Sequence, residues 1–523
     1  MNLAAKVGQR LVVSFPGPEL TTEVAQFITD CRAGGVILFR SNIENVAQVR
    51  QLNLNLQKLA AEIGLPPLII SVDEEGGRVS RMPFDATELT TPSPMAQNAA
   101  GGDAARTCAA STARRLRRLG FNLNYAPVLD VNNNPNNPVI GTRSFGSDAA
   151  SVAELGAEAI AGYLAEGVAP CAKHYPGHGD TDIDSHIGLP VVAKSLAQLR
   201  AIELGPFYRA VQAGVPAIMT AHIVYPEIEP EKRPATLSAF FLNMLRRELG
   251  FEGVIFTDAL IMQAIADFYG PEQASLLALK AGADIVMPLG SLESQKACYV
   301  AMLEAAERGE FELEASANRI SCLKQEFCLP ALPLEGLEAE LEIVTDVARR
   351  SLTLLRNTGG LLPLLPGKFR QPLLVEFEPA ALSGVEEQRL EHGLTLHSLL
   401  IETLPELALE TVFPNFTEEQ AQQLLQTAAA SDALVLICRN AARLEHKAAL
   451  INRLLQLGRP TALVAARDPY DLAAFEAAAL VATYGEPTCS LRALAGLLLG
   501  HFSPQGRLPL NIPGLTEQGK PQF

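Results

Sequence analysis

Short apolar segments alternate with longer, helix-compatible segments along the first 290 residues. Eight of the short segments have the length and composition of buried strands, and they cover residues 10–15, 35–39, 68–72, 122–131, 170–174, 217–222, 254–258 and 284–288. The clearest helical segments between them cover residues 45–63, 103–119, 151–165, 195–213 and 291–308. Eight strands that alternate with helices predict an α/β protein with a (β/α)8 barrel of the TIM type, rather than an open sheet.

The pattern changes after residue 327. Residues 328–336 contain two prolines and end in glycine, which is typical of a linker. Beyond them the sequence predicts a helix at 337–350 and strands at 352–355, 373–377, 433–438, 461–466 and 480–484. We therefore predict a catalytic barrel at 1–327, a linker at 328–336, and a second, smaller α/β domain at 337–523 with a mostly parallel sheet.

Polar side chains accumulate where the predicted barrel strands end. Residues 71–81 follow the third strand, and the turn-forming loop 132–148 follows the fourth. Single residues at other strand ends are Asp130, Lys173, His174, His222 and Asp258. Because the C-terminal ends of barrel strands form one rim, where ligands bind, we expect these groups to converge there.

Residues 173–190 are the most chemically dense part of the chain. They hold three of the eight histidines, His174, His178 and His186, in a segment broken by glycine and proline. A solvated loop, a metal site and a catalytic loop are the three interpretations. Imidazole and carboxylate suit zinc, but spacings of four and eight residues lack a recognised metal motif. We favour catalysis and keep the metal site as an alternative.

The residue types fit the hydrolysis of a glycosidic bond with retention. That reaction needs a carboxylate nucleophile and a second group that first donates and then accepts a proton. Asp258 ends an apolar strand and is a candidate nucleophile, or alternatively the cap of the next helix. Asp184 and His186 are a candidate proton-transfer pair, because a carboxylate can orient an imidazole; Asp184 in an Asx-turn is the alternative.

Composition excludes several kinds of partner. A net charge of −16 without any basic run argues against nucleic acid and anionic membranes. No apolar stretch reaches the roughly 18 residues of a membrane span, and the N-terminus does not resemble a signal peptide. Eight cysteines without close pairing predict free thiols in a reducing compartment. We expect a cytoplasmic protein that acts on a small molecule or a neutral polymer fragment.

The segment Lys-His-Tyr-Pro-Gly-His-Gly-Asp-Thr at 173–181, followed by Asp184-Ser-His186, resembles the signature of the glycoside hydrolase family 3 β-N-acetylglucosaminidases of the NagZ type. Residues 71–81 resemble the family's Asp-x-Glu-Gly-Gly-Arg-Val-x-Arg segment, and residues 253–262 resemble its nucleophile segment. Five segments resemble parts of the C-terminal α/β/α sandwich that longer family members carry; they are residues 348–357, 362–364, 468–470, 484–485 and 506–509.

The resemblance implies a role for each matching residue. Asp258 is the implied nucleophile, and His186 is the implied acid/base, assisted by Asp184. The positions implied to hold the sugar are Asp73, Arg81, Arg143, Lys173 and His174, with Asp130 as a further contact. His178 shapes the loop, with Gly177 and Gly179 permitting its turns. No metal and no cofactor are implied.

The favoured function is that of a retaining exo-β-N-acetylglucosaminidase acting on carbohydrate fragments of the cell wall. A GlcNAc phosphorylase is an alternative, because a neutral base would repel phosphate less than a carboxylate does. A metal-dependent hydrolase that uses His174, His178 and His186 is another. A sugar-sensing barrel without turnover is the non-enzyme alternative.

Overall fold

The computed structural model of the protein describes residues 1–379, 394–512 and 515. Parts of the predicted second domain, 337–523, lie outside those residues. The described residues form two sheets, one of eight strands and one of six. The boundaries at 327 and 337 stay predictions.

The first sheet is a closed barrel. Each strand pairs in parallel with the next, and a bridge between Leu11 and Val286 joins the first strand to the last. Its strands are Val12–Val13 (β1), Gly35–Ile37 (β2), Ile69–Val72 (β3), Leu123–Asn124 (β4), Ala169–Tyr175 (β5), Ala217–Thr220 (β6), Val254–Ala259 (β7) and Ile285–Met287 (β8). All eight lie within or overlap the predicted segments, so the predicted TIM-like barrel is confirmed.

Helices surround the barrel and follow its strands. They are Leu3–Gly8 (α1), Thr22–Cys31 (α2), Val46–Glu62 (α3), Pro94–Ala100 (α4), Ala104–Leu119 (α5), Ala149–Ala165 (α6), Leu196–Ala201 (α7), Leu204–Gln212 (α8), Ala239–Arg247 (α9), Gln263–Ala266 (α10), Pro271–Ala281 (α11), Leu292–Glu307 (α12) and Glu314–Phe327 (α13). The helix predicted at 195–213 is two helices, because Ile202 has a φ of −123°, outside the helical range.

Alternation along each strand produces two barrel cores. Ile69, Cys171 and Phe256 belong to the inner core, whereas neighbouring residues such as Ile70 and Ile255 pack outward against the helices. One helix, α13, adds apolar side chains to the inner core and also contacts the strand beginnings, where the thiol of Cys328 donates to the carbonyl of Leu68. This end of the barrel is closed, so the opposite rim is the end that can admit a ligand.

The second sheet has the order β11-β10-β12-β13-β14-β9. Its strands are Thr353–Asn357 (β9), Pro372–Phe377 (β10), Ala408–Val412 (β11), Ala433–Cys438 (β12), Thr461–Ala465 (β13) and Ala479–Ala482 (β14). Only the pair β14–β9 is antiparallel, as expected of a mostly parallel sheet. β11 was not predicted, because this edge strand is mostly exposed and lacks a continuous apolar run.

Helices cover both faces of this sheet. They are Glu340–Ser351 (α14), Leu396–Leu400 (α15), Glu418–Ala430 (α16), Glu445–Leu455 (α17), Asp471–Ala474 (α18) and Thr488–Leu498 (α19). In β10, Leu373 and Val375 pack with α16 and α17, while Leu374 belongs to the core with α14 and α19. The second unit is therefore an α/β/α sandwich, as the resemblance implied.

The helices and the thiols can also be compared with the sequence predictions. In the part of the chain that the structure describes, no helix combines the length and the apolarity needed to cross a membrane. All eight cysteines are free, as their spacing predicted.

Candidate active site

The predicted site residues gather at the C-terminal ends of the barrel strands. Asp73 follows β3, Lys173 and His174 lie in the last part of β5, and Asp258 lies near the end of β7. Asp130 lies in the loop after β4. The rim therefore brings together groups that are up to 185 residues apart in the chain, counting from Asp73 to Asp258.

A buried carboxylate, Glu75, connects two loops of this rim with the end of β5. Arg143 donates to Glu75 through Nε and Nη2, both at 2.8 Å, and the ammonium of Lys173 lies 2.7 Å from the same carboxylate. Lys173 also donates to Asp73 at 2.5 Å. Burial alone would raise the pKa of Glu75, but Arg143 and Lys173 hold that pKa well below its usual range. Glu75, Arg143 and Lys173 consequently stay charged.

Glu75 was not among the predicted site residues. It stands two positions after Asp73 in the run Asp73-Glu74-Glu75. The sequence feature that could have identified Glu75 is the run of three carboxylates directly after a buried strand. Its cationic partners, Arg143 and Lys173, are remote in sequence, so the sequence alone does not identify them.

His174 is held by a carboxylate behind it. Its Nδ1 lies 2.6 Å from Oδ2 of Asp130, which is 0% exposed, and its Nε2 lies 3.4 Å from Nη2 of Arg143. Burial opposes ionisation of Asp130, but His174 and His178 keep its pKa below the usual value. In the tautomer that donates from Nδ1 to Asp130, Nε2 can accept from Arg143. These contacts favour a role for Asp130 in orienting His174 rather than in touching a sugar.

Asp184 and His186 form a hydrogen-bonded pair. Oδ1 of Asp184 accepts from His186 Nδ1 at 2.7 Å and from the His186 backbone N–H at 3.0 Å. The second bond is that of an Asx-turn, so both interpretations of Asp184 apply to the same residue. Burial opposes ionisation, but the bonds from His186 lower the pKa of Asp184 to about 2. The imidazole of His186 is 27% exposed, which leaves its Nε2 side accessible.

Asp258 is a strand residue and not a helix cap. The residue that precedes α10 is Met262, four positions later. Oδ1 of Asp258 accepts the N–H of Ala259 at 2.7 Å. Burial raises the pKa of Asp258, but the neighbouring histidines, with the Ala259 N–H, bring it below the usual value; they are His222, His174 and His186. The carboxylate is therefore anionic at neutral pH.

His222 supports the turn after Asp258. Its Nε2 lies 3.0 Å from the carbonyl oxygen of Ala259, and its Nδ1 lies 2.9 Å from Oγ1 of Thr236. Burial lowers the pKa of His222, so the imidazole is neutral near pH 7. The sequence placed His222 at a strand end without a role. Its contacts mark it as a residue that positions Asp258.

Arg81 lies beside a second buried carboxylate. Its backbone N–H donates to Oε2 of Glu74 at 2.6 Å, and its charge is one of those that act on that carboxyl group. Arg81 therefore contacts Glu74, the residue that precedes Glu75 in the sequence. Its role in holding a sugar stays a prediction.

His178 is a buried part of loop 176–195, the candidate catalytic loop. Its Nδ1 lies 2.8 Å from Thr181 Oγ1 and its Nε2 lies 3.1 Å from Ser185 Oγ. Gly179 is needed for close approach rather than for an unusual φ, because a Cβ there would lie 1.7 Å from the carbonyl oxygen of Val131. Gly177, with a φ of +142°, does adopt a conformation that favours glycine.

The three histidines of residues 173–190 have separate hydrogen-bond partners. His174 and His186 each face their own aspartate, and His178 faces two hydroxyl groups. Among the described residues, no group of three or more His, Cys, Asp or Glu side chains has an arrangement that could hold a metal ion. The geometry gives the metal-site alternative no support.

The fold and the rim define a barrel enzyme with an anionic carboxylate and a carboxylate–imidazole pair at the strand ends. The profile of the glycosyl hydrolase family 3 N terminal domain matches residues 2–323, and that of the family 3 C-terminal domain matches residues 352–522. The chain belongs to glycosyl hydrolase family 3 and is a glycoside hydrolase.

Individual relatives are similar over between half and nearly all of the chain. "Beta-hexosaminidase A" of Pseudoalteromonas piscicida is 32% identical over 554 residues, covering 94% of this chain and 91% of the relative. A beta-hexosaminidase of Neisseria meningitidis is 39% identical over 51% of this chain and 74% of its own length. The solved structure of a family 3 beta-N-acetylglucosaminidase from Paenibacillus sp. str. FPU-7 has a TM-score of 0.89 and 37% identity, covering 99% of this chain and 100% of that one.

We predict that His178 makes folding stability depend on pH. Burial lowers its pKa from the usual 6.5 to about 4, with His174 acting in the same direction and Asp130 against it. The unfolded chain therefore binds more protons between these values, and the stabilising effect of a neutral His178 is lost as pH falls from 6.5 to 4. A difference of this size corresponds to roughly 3 kcal/mol.

Urea unfolding of the wild type and of His178→Gln at several pH values measures this effect. The variant should lose less stability than the wild type between pH 6.5 and 4, whereas His446→Gln, at an exposed histidine, should follow the wild type. Parallel curves for wild type and His178→Gln would contradict the prediction.

Proposed function

We propose that the protein is a retaining exo-β-N-acetylglucosaminidase that removes terminal β-linked GlcNAc. The observation that carries this proposal is the pairing on one rim of an anionic Asp258 with the Asp184–His186 pair. The backbone N–H of Ala264, six residues after Asp258, donates to the carbonyl oxygen of Ser185, between Asp184 and His186, at 3.3 Å, so the segments that carry these groups are in contact. A nucleophile and an acid/base group of this kind are what the two-step reaction requires.

In the first step, a carboxylate oxygen of Asp258 attacks the anomeric carbon, and the bond from that carbon to the leaving oxygen breaks. Protonated His186 gives its Nε2 proton to the leaving oxygen, while Nδ1–H stays bonded to Asp184. In the second step, His186 Nε2 accepts a proton from water as the water oxygen attacks the anomeric carbon. The Asp258 carboxylate leaves with its electron pair, and the configuration is retained.

The remaining rim residues would hold the sugar. Asp73 is partly exposed and keeps one oxygen on Lys173, so its second oxygen can accept from a sugar hydroxyl. Arg143 and Lys173 are fixed by Glu75, which lowers the entropy lost when they bind a ligand. The names of the relatives support GlcNAc as the sugar, since they are hexosaminidases and an N-acetylglucosaminidase.

The natural substrate that we propose is a muropeptide-type fragment of peptidoglycan, cleaved in the cytoplasm. The resemblance to the NagZ-type enzymes supports the fragment, and eight free cysteines support a reducing compartment. A short carbohydrate also suits a chain with a net charge of −16, which would repel large anionic polymers.

Phosphorolysis is the second candidate, because the group proposed to activate the acceptor is an imidazole and not a carboxylate. Inorganic phosphate would meet less repulsion at His186 than at an anionic base. Asp184 opposes this, since its ionised carboxylate lies 2.7 Å from the ring. Hydrolysis is therefore favoured, and product analysis with saturating phosphate distinguishes free GlcNAc from its 1-phosphate.

We predict that the purified protein cleaves p-nitrophenyl β-N-acetylglucosaminide in the presence of EDTA and cleaves the β-glucoside far more slowly. Asp258→Ala should lower kcat at least about a thousandfold, because the covalent step is lost. Asp267→Ala, at an exposed aspartate of the next loop, is the matched control and should retain wild-type activity. Activity that disappears with EDTA, or survives in Asp258→Ala, would overturn the proposal.

We predict that the effect of His186→Ala depends on the leaving group. A poor leaving group such as methoxide needs the proton from His186, so kcat/KM for the methyl glycoside should fall about 10²- to 10⁴-fold. A dinitrophenolate leaves without protonation, so kcat/KM for that substrate should change little. Steady-state kinetics on both substrates measure the difference. Equal losses on the two substrates would mean that His186 is not the acid.

A further inference from the structure

The second domain contacts the barrel loop that carries Arg143. Arg443, which follows β12, donates through Nη1 to the carbonyl oxygen of Asn137 at 3.1 Å and through Nη2 to that of Pro135 at 2.8 Å. Oδ2 of Asp468, after β13, accepts from Arg443 at 3.1 Å and so fixes the guanidinium. Both residues follow the C-terminal ends of strands of the second sheet, and Arg443 holds backbone atoms of loop 132–148.

The same loop passes very close to Asp468. A Cβ on Gly141 would lie 2.3 Å from Oδ1 of Asp468, and the φ of Gly141 is +46°. Only glycine fits this approach without displacing the carboxylate. Gly141 also begins the 3-10 turn Gly141–Arg143, so this contact lies two residues from the guanidinium that binds Glu75.

Asn137 connects the Arg143 loop to the catalytic loop. Its side chain is buried, and Nδ2 lies 2.9 Å from the carbonyl oxygen of His178 and 3.1 Å from that of Gly179. Oδ1 accepts the N–H of Ile140 at 2.7 Å. One amide group thus holds backbone atoms of two loops, while its own carbonyl is held by Arg443.

The connection continues to the acid/base pair. Thr181 Oγ1 lies 3.3 Å from Asn137 Nδ2 and 2.8 Å from His178 Nδ1. The other ring nitrogen of His178 lies 3.1 Å from Oγ of Ser185, the residue between Asp184 and His186. The path from Arg443 to Ser185 consists of hydrogen bonds linked by the covalent structure of Asn137 and His178.

The catalytic loop needs such support because the apolar residues beside the acid/base pair add little packing. Ile183 is 45% exposed and Ile187 is 70% exposed, and these two residues flank the Asp184–His186 pair. A segment with few buried apolar contacts opens more easily than the core does. A shift of about 1 Å in a proton donor can cost roughly a hundredfold in rate.

We propose that Arg443 is a positioning residue, through which the second domain sets the geometry of the Asp184–His186 pair. Arg443 holds Asn137, Asn137 holds the His178 segment, and His178 holds Ser185. This inference rests on the proposed function, in which His186 is the acid/base. It assigns the α/β/α sandwich a part in the reaction without any contact to the substrate.

The experiment compares kcat/KM for the dinitrophenyl and methyl β-N-acetylglucosaminides in Arg443→Ala. The methyl glycoside, which needs the proton, should lose about tenfold, and the dinitrophenyl glycoside should change less than about twofold. Arg453→Ala is the matched control, because Arg453 forms a 2.8 Å ion pair with Glu418 within the second domain. That variant should match the wild type on both substrates. Arg443→Lys keeps one donor and should show the same selectivity with a smaller loss.

If kcat/KM of Arg443→Ala and Arg443→Lys falls equally on the two substrates, or does not fall, the inference is overturned. A loss of folded protein alone would lower the rates on both substrates equally. His186→Ala is measured beside them. If His186→Ala itself lacks leaving-group selectivity, the proposed function fails. If His186→Ala is selective and the Arg443 variants are not, only the positioning role fails. Amide exchange of residues 178–188 should be faster in Arg443→Ala and unchanged in Arg453→Ala.

Discussion

The rim of this barrel depends on the cost of burying the Glu75 carboxylate. An ionised carboxylate that is 1% exposed is stable only when opposite charges and hydrogen bonds replace the lost water. Arg143 supplies them from the loop after β4 and Lys173 from the end of β5, and Lys173 in turn binds Asp73. The geometry of two loops and of the end of β5 is therefore fixed together, and removing either cation would leave the buried carboxylate with only one charged partner.

Two carboxylate–imidazole pairs lie near this cluster. Asp130 orients His174, and Asp184 orients His186, each through a bond of 2.6 to 2.7 Å to Nδ1. The two pairs differ in exposure: the His174 side chain is 8% exposed, whereas that of His186 is 27% exposed. The buried pair suits a fixed contact. The accessible pair suits proton exchange with a substrate and then with water.

Sequence periodicity was sufficient for the barrel, because eight apolar segments in regular alternation with helices leave few other folds. It missed β11, whose exposed edge position removes the apolar pattern. For the site, strand ends located Asp258, Lys173 and the histidine loop. Glu75 and His222 went unassigned, because their roles depend on partners that are remote in sequence. The link from Arg443 to Asn137, 306 residues apart, has no local signal at all.

The proposed mechanism requires a covalent bond between Asp258 and the sugar. Its most direct test is incubation with a fluorinated N-acetylglucosaminyl donor that carries a reactive leaving group, followed by peptide mass spectrometry. The slowed second step should let the glycosyl-enzyme accumulate, with one sugar attached to the peptide that contains Asp258 and none in Asp258→Ala. Label on another residue, or no label together with an inverted first product from the ordinary substrate, would contradict the account.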